Sequence, residues 1–389
     1  MDRPLAGMRL ALLAPISWPT PPAGYGPWEQ VAFDIAEGML ARGADVTLFA
    51  TGNSRTHAKL AYVVPVGINE DPALSGDVYG ALHTAELFRR AGEFDLIHNN
   101  FDWKPLTYAL ATAHPPMLTT IHGFSSPPIL AAYYAAADRS FYCSISDADR
   151  DPGLAYLATT YNGIAVEDFT FVETPGDYLV FLGRFHPEKG AHLAIEIARR
   201  AGVRLKMAAI PQDETYFRER VAPHIDGDRV QFLGAVERAG RDELLRGALA
   251  LVHVTTKPER FGLTLIEAMA CGTPVLGARM GSIPEIVIDG ETGFLCDGVD
   301  DAVARVPQLA GLDRAACRRH VARTFSLERM IDRYADAYLA ALGARLPPPP
   351  TDEQRAARER DYWDRPMAFT DDPPRPRTLV AGDGRGRSA

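Results

Sequence analysis

The sequence predicts an α/β protein built from two facing, doubly wound Rossmann-like domains with a ligand cleft between them. Three observations carry that expectation. The chain has 389 residues, and at roughly 100–200 residues per domain this implies two domains. Short apolar runs alternate with amphipathic stretches throughout, the pattern of parallel strands joined by helices that cover both faces of a sheet. That pattern breaks once, at the acidic, Pro- and Gly-containing segment GIAVEDFTFVETPGD (163–177), and then restarts.

In the first half, strands are expected near 8–14, 45–50, 94–98, 117–121, 140–145 and 157–161. Helices are expected near 27–42, 76–92, 104–113 and 146–154. After the break come strand 178–183, helix 189–201, strand 203–209, helix 212–222, strand 229–233, helix 240–247 and strand 249–254. Helix 262–271, strand 273–278 and helix 282–288 follow. SLERMIDRYADAYLAALG (326–343) is an amphipathic helix with Ser326 as N-cap and Gly343 as its stop. The domains expected are therefore 1–170 and 171–325. Residues 344–389, rich in Pro and Arg, lack a core pattern and are read as disordered or draped on the surface.

Composition narrows the function classes. The net charge is −9, and residues 1–170 hold 10 Lys and Arg against 18 Asp and Glu. Nucleic-acid binding needs a basic footprint, and docking on anionic lipid needs clustered Lys and Arg. The acidic first domain favours a soluble acceptor or ligand over a membrane lipid. The four cysteines, Cys143, Cys271, Cys296 and Cys317, form no C-x-x-C pair and read as reduced thiols of a cytoplasmic protein. The apolar run after the N-terminus ends at Pro15 and reads as a buried strand rather than a signal peptide. No stretch approaches the roughly 20 apolar residues of a membrane span.

The densest chemistry lies in KPERFGLTLIEAMACGTPV (257–275). Glu259 follows the apolar strand ALALVHV, Phe261-Gly262 opens a helix, and Glu267 lies about one turn further in. Gly262 lets backbone approach a ligand, and the free N–H groups of the first helical turn attract anions. Glu267 is placed to accept from ribose hydroxyls. A capped helix with two solvated glutamates would give the same spacing, but the long surrounding pattern favours a site.

This stretch resembles the Glu-x7-Glu motif of the retaining glycosyltransferases of family four, which have the GT-B fold of two facing Rossmann-like domains. The resemblance covers about residues 8–343 and is tighter in the second half. It implies that Glu259 meets the donor sugar and Glu267 holds the ribose. The amides of Phe261-Gly262-Leu263 would bind sugar hydroxyls and phosphate. It also implies that the helix 326–343 crosses back to brace the first domain.

LVFLGRFHPEKGAHLAIEIARR (179–200) places Arg184 and Lys189 at the carboxyl end of a strand, where open α/β sheets bind ligands. Two such cations suit a diphosphate, and the segment matches the family's G-R-x-x-x-x-K-G. In GSIPEIVIDGETGFLCD (281–297), Gly281 and Ser282 are expected to add amides near the phosphates. Glu285 fits either a site or an ordinary first helical turn.

In the first half, MLTTIHGF (117–124) puts His122 beyond a strand, and the family has a His there that reaches across to the donor sugar. DLIHNNFDW (95–103) offers Asn99, Asn100 and Asp102 as acceptor-side residues; many relatives carry a His near Asn100, so this chain departs from the pattern. The loop PPAGYGPWEQ (21–30) carries Gly24 and Gly26, which admit phosphates or acceptor to a helix N-terminus. YNG (161–163) is read mainly as a turn.

The resulting expectation is a retaining, metal-independent hexosyltransferase. It would use a UDP- or GDP-sugar as substrate and no cofactor, with no D-x-D metal motif in view. Two other readings fit the same fold: a nucleotide-sugar epimerase, and a non-catalytic nucleotide-sugar-binding subunit. A dinucleotide oxidoreductase would need a G-x-G-x-x-G turn that the sequence lacks.

Overall fold

The computed structural model describes residues 5–24, 26–124, 127–347 and 351. The first sheet holds seven parallel strands: β1 (Arg9–Leu13), β2 (Asp45–Phe49), β3 (Lys59–Ala61), β4 (Leu96–Asn99), β5 (Met117–Ile121), β6 (Phe141–Ser144) and β7 (Tyr156–Thr159). Their spatial order is β3-β2-β1-β4-β5-β6-β7. The connecting helices are α1 (Pro27–Ala41), α2 (Gly76–Arg89), α3 (Lys104–Ala111) and α4 (Leu130–Ala135).

The second sheet has six parallel strands in the order β10-β9-β8-β11-β12-β13. In chain order it runs β8 (Tyr178–Phe185), α5 (Ala191–Ala201), β9 (Arg204–Pro211), the single turn α6 (Glu214–Tyr216), β10 (Val230–Phe232), α7 (Arg238–Arg246) and β11 (Ala250–His253). Then come α8 (Leu263–Ala270), β12 (Val275–Ala278), α9 (Ile283–Ile286), β13 (Gly293–Cys296), α10 (Val299–Arg305), α11 (Arg314–Thr324) and α12 (Leu327–Gly343). Both strand orders reverse once, between β1 and β4 and between β8 and β11. Such a reversal opens a crevice at the carboxyl ends of the strands.

The strands are continuous apolar runs because both faces of each sheet are covered. Leu10, Leu12 and Leu96 pack with Val31, Ile35, Met330, Ile331 and Tyr334 under α1 and α12. Ala11, Leu13 and Ile97 pack on the other face with Leu87, Leu106 and Leu130 of α2 to α4. Helix α12 thus belongs to the first core although it follows the second domain, as the resemblance implies. Ser326 caps it by accepting from the Arg329 N–H at 3.3 Å. The two chain crossings between domains bond to one another: Ile164 N–H donates to Phe325 O at 3.0 Å and Leu327 N–H to Ile164 O at 2.7 Å.

Several expected elements are corrected. Residues 146–154 form no helix but a loop, because Asp151-Pro152-Gly153 breaks the helix and the loop amides bond elsewhere. The short strands β3 and β13, and the helices α4, α10 and α11, were not expected. The expected helix 212–222 is split into α6, a π-helical turn Phe217–Val221 and a 3-10 turn Ala222–His224. The proline-rich tail beyond 347 lies outside the described residues except Thr351. No helix among the described residues is long and apolar enough to cross a membrane. All four cysteines are buried and unpaired. Burial pushes Cys143, Cys296 and Cys317 up to about 12, so none is a ready nucleophile.

The first core also contains neutral histidines. His98 lies between the Tyr338 hydroxyl (2.7 Å) and Thr120 Oγ1 (2.8 Å), tying α12 to β4 and β5. Burial, with the neighbouring His122, lowers His98 to about 3. Burial lowers His83 and His122 to about 4. In the unfolded chain each would titrate near 6.5. Between that value and the folded one, the unfolded state binds more protons, so stability present above pH 6.5 is lost as pH falls. Each group contributes a slope of about 1.4 kcal/mol per pH unit in that window. The melting temperature should therefore fall steadily from pH 7 to pH 5. A flat profile would mean that these rings are not held neutral.

Candidate active site

The second-domain half of the site is assembled by two loops that pack on each other. Beyond β8, the chain makes a 3-10 turn (Pro187–Lys189) and reaches Gly190 in the left-handed region, φ 67°. A Cβ there would stand 2.0 Å from Val254 O, just after β11. Thr256 N–H also donates to Glu188 O at 2.9 Å. This packing delivers Lys189 to Glu259, with Nζ 2.6 Å from Oε2. His253, the last residue of β11, approaches the same oxygen at 2.8 Å through Nε2. The Arg260 N–H donates to Oε1 at 3.2 Å. Burial opposes ionisation of Glu259, but the charge of Lys189 and the bonds from His253 and Lys189 outweigh it. The carboxyl is held well below the usual carboxylate range.

Gly262, φ 89°, is the N-cap of α8 and has no side chain to occupy the first-turn amides. Phe261 is buried and packs 6.2 Å from Tyr161 and 6.0 Å from Phe325, at the interdomain crossings. Leu263 begins α8. One turn on, Glu267 is buried, with Oε1 3.3 Å from Arg241 Nη1 of α7. Among the described residues its Oε2 has no hydrogen-bond partner, and neither has Arg241 Nε. Burial raises the Glu267 carboxyl, and the charges of Arg241 and Arg238 offset this only in part. A buried carboxylate oxygen without a donor is costly, and a ligand hydroxyl would satisfy it. Arg184, near the end of β8, donates through its guanidinium to Gln212, just beyond β9.

In 281–297 the expectation for the Ser282 amide is corrected, and the open choice for Glu285 is resolved. The Ser282 amide is spent on Glu259 O at 2.9 Å, and its hydroxyl donates to Phe261 O at 2.9 Å. At Gly281 a Cβ would stand 2.4 Å from Glu259 O. Both residues pack against the Glu259 loop, and the Ser282 amide is used there and not on a phosphate. Glu285 is a structural clamp. It accepts from the Asp147 and Ala148 amides (2.9 and 2.6 Å) and from the Tyr161 hydroxyl (2.9 Å).

On the first domain, His122 follows β5. Its Nε2 lies 2.9 Å from Asn100 Oδ1, and its ring stacks on Trp28 at 5.6 Å. Asn99 is fully buried and committed to its own loop. Its Nδ2 donates to Asp102 O at 2.9 Å and its Oδ1 accepts from Phe101 N–H at 2.8 Å. These bonds commit the Asn99 side chain to its own loop, whereas Asn100, equally buried, meets His122. Asp102 is the non-glycine residue with positive φ (59°) among those described. Residues held in that region cluster at functional sites. Its Oδ1 accepts from the Tyr133 hydroxyl at 2.6 Å. Asp102, His122, Trp28, Thr120, Gly123 and Tyr133 line a small hollow.

The loop bearing Gly24 and Gly26 leads into α1. A Cβ on Gly24 would meet nothing within 4 Å, while a Cβ on Gly26 would stand 2.8 Å from Pro22. The buried Glu29 of the first turn accepts from Trp18 N–H at 3.2 Å, so a carboxylate of the chain's own already sits at this helix N-terminus. A cavity of about 480 Å³, lined by none of these residues, lies against α5 between Ile195, Arg199 and His224. Among the described residues, no group of three or more His, Cys, Asp or Glu is placed to hold a metal ion.

Sequence reasoning missed His253, Arg241, Trp28 and Arg260. A polar residue ending a buried apolar strand six positions before Glu259 was a usable signal for His253. Arg241 and Trp28 reach their partners only through tertiary packing.

Comparison with known proteins gives concordant matches. Residues 28–150 match the Glycosyltransferase Family 4 model and residues 168–315 match Glycosyl transferases group 1. A Mycobacterium tuberculosis protein named glycogen synthase is 29% identical over 66% of this chain and 71% of its own length. A Mycobacterium leprae phosphatidyl-myo-inositol mannosyltransferase is 25% identical over 76% and 85%. The crystal structure of Anabaena Alr3699/HepE with UDP and glucose superposes with a TM-score of 0.67 at 21% identity. It covers 85% of this chain and 99% of that one, a likeness of fold.

Proposed function

This chain belongs to the GT-B glycosyltransferases of the family-four type, and from that premise we propose that it transfers a hexosyl unit from a UDP- or GDP-sugar to a hydroxyl acceptor, with retention and without a metal. The observation that carries the donor assignment is Glu267, whose buried Oε2 has no partner among the described residues while Arg241 holds Oε1. Ribose hydroxyls are the donors that such an oxygen lacks. Lys189, Arg184 and the α8 amides beginning at Gly262-Leu263 would neutralise the diphosphate. That is charge stabilisation placed where negative charge develops.

In the proposed step the bond from the anomeric carbon to the diphosphate breaks through an oxocarbenium-like state. A new bond forms from the same face to the acceptor oxygen, and the acceptor's proton passes to the leaving phosphate. The products are a glycoside and a nucleoside diphosphate. Glu259, held ionised by Lys189 and His253, would meet the sugar from one side and His122 from the other. Asn100 and Asp102 lie on the acceptor side. The acidic first domain supports a soluble acceptor, a saccharide, glycoside or small metabolite, over a membrane lipid.

Thermal stabilisation by UDP, GDP, ADP and NAD, each with EDTA present, tests this reading. A ligand at about 100 times its Kd adds about 2.7 kcal/mol. UDP or GDP should raise the melting temperature, and Glu267→Ala should abolish the rise. A shift with NAD alone, or one with UDP or GDP that EDTA removes and manganese restores, would count against it.

A further inference from the structure

Arg260 stands between Glu259 and Phe261, and the first domain holds it at two points. Its main-chain carbonyl accepts from Ser146 Oγ at 2.6 Å. Its guanidinium donates to Phe124 O at 2.5 Å and lies 3.3 Å from Asp149 Oδ1. Ser146 Oγ also accepts from the Asp149 N–H at 3.2 Å, so the two anchors are linked. The side chain passes directly over Gly123, where a Cβ would stand 2.0 Å from Arg260 Cδ, and Gly123 has φ 109°. Any side chain at 123 would expel the arginine. On its other side, the Arg260 N–H donates to Glu259 Oε1.

One residue therefore connects the loops after β5 and β6 of the first domain to the carboxylate proposed to meet the donor sugar. The groups proposed for the nucleotide and diphosphate, namely Arg184, Lys189, Arg241 and Glu267, all belong to the second domain. None of them bonds to Arg260. Nucleotide binding and domain docking are thus carried by different side chains, and residue 260 lies on the docking side.

We propose that Arg260 is a positioning residue: docked through Asp149, Phe124 and Ser146, it fixes the Glu259–Gly262 loop for transfer and keeps the two domains closed over the sugar. This rests on the glycosyltransfer reading above. A closed cleft also excludes water, which competes with the acceptor for the activated sugar.

The test uses the full chain with Arg260→Ala, Arg260→Lys and Ser146→Ala. The measurements are transfer rate, donor hydrolysis without acceptor, the Kd of the nucleoside diphosphate, and small-angle scattering of the unliganded chain. For Arg260→Ala, kcat for transfer should fall about tenfold or more while the Kd changes less than about twofold. Hydrolysis should take a larger share of the donor consumed, and the scattering should show a more extended particle. Arg260→Lys, which keeps a cation for Asp149, should recover part of the loss. Wild-type transfer by Arg260→Ala, or a parallel loss of nucleotide affinity, overturns the positioning role. A wild-type chain that transfers no sugar refutes the glycosyltransfer reading instead. The scattering then judges the latch alone, and unchanged scattering of Arg260→Ala overturns it.

Discussion

Replacing Lys189 with alanine should lower turnover at saturating donor by two to three orders of magnitude. Removing a single preorganised group that faces developing charge typically costs about 10²–10³ in kcat. Here the same deletion does a second kind of damage. Lys189 Nζ is 2.6 Å from Glu259 Oε2, and it is the strongest influence opposing burial of that carboxylate. Without the ammonium, the His253 contact at 2.8 Å and the Arg260 N–H at 3.2 Å remain against desolvation, so the Glu259 carboxyl must rise. The acid limb of the pH–rate profile should therefore move to higher pH in Lys189→Ala.

The double variant Lys189→Ala/Glu259→Gln should lose less than the sum of the two single losses, because residues that act as a unit are not additive. Unchanged kcat with only a raised donor KM would show that Lys189 binds ground state and transition state alike. The assignment to the leaving group would then be wrong.

Replacing Arg314 with leucine should produce the largest loss of stability available from one side chain outside the cleft. Arg314 opens α11 and is only 4% exposed. Its Nε donates to Val172 O at 2.7 Å and its Nη1 to Ala248 O at 2.9 Å. Its Nη2 donates to Arg246 O at 3.0 Å and to Thr273 Oγ1 at 2.8 Å. The guanidinium thus satisfies carbonyls at the end of the interdomain segment, at the end of α7 and before β11. Leucine fills part of the volume and strands those oxygens.

Removing one partner from a buried charged network costs about 3–5 kcal/mol. For a domain of this size that corresponds to a melting shift on the order of 10 °C. Calorimetry of the full chain measures it directly. A shift below about 2 °C would mean that water replaces the guanidinium at little cost.

What the sequence determined by itself is the layout that local patterning encodes. The apolar runs 8–14, 45–50 and 117–121 are strands β1, β2 and β5 because strands covered on both faces need no alternation. The helix 326–343 was legible from its stripe and its Ser326 cap. The placement of Lys189 beyond β8, and of Glu259, Gly262 and Glu267 around the start of α8, was legible because strand ends and helix starts carry local glycine and capping signals. Each of these signals lies within a window of about twenty residues, which is the range over which periodicity and capping act.

What only the tertiary structure decided is how distant segments pair. Local pattern favours a helix at 146–154, yet the chain forms a loop there whose amides and hydroxyl bind Glu285 and Arg260, more than a hundred positions away. The role of Glu285, undecided from its neighbours, follows from those same bonds. Asn99, polar and at a strand end like Asn100, turns inward, while Asn100 meets His122. Trp28 reaches His122 because the start of α1 lies against the loop after β5, and Arg241 reaches Glu267 because α7 lies beside α8. The physical reason is common to all of them. A buried polar group must find a partner wherever the fold supplies one, and the identity of that partner is set by packing across the whole chain, not by its sequence neighbours.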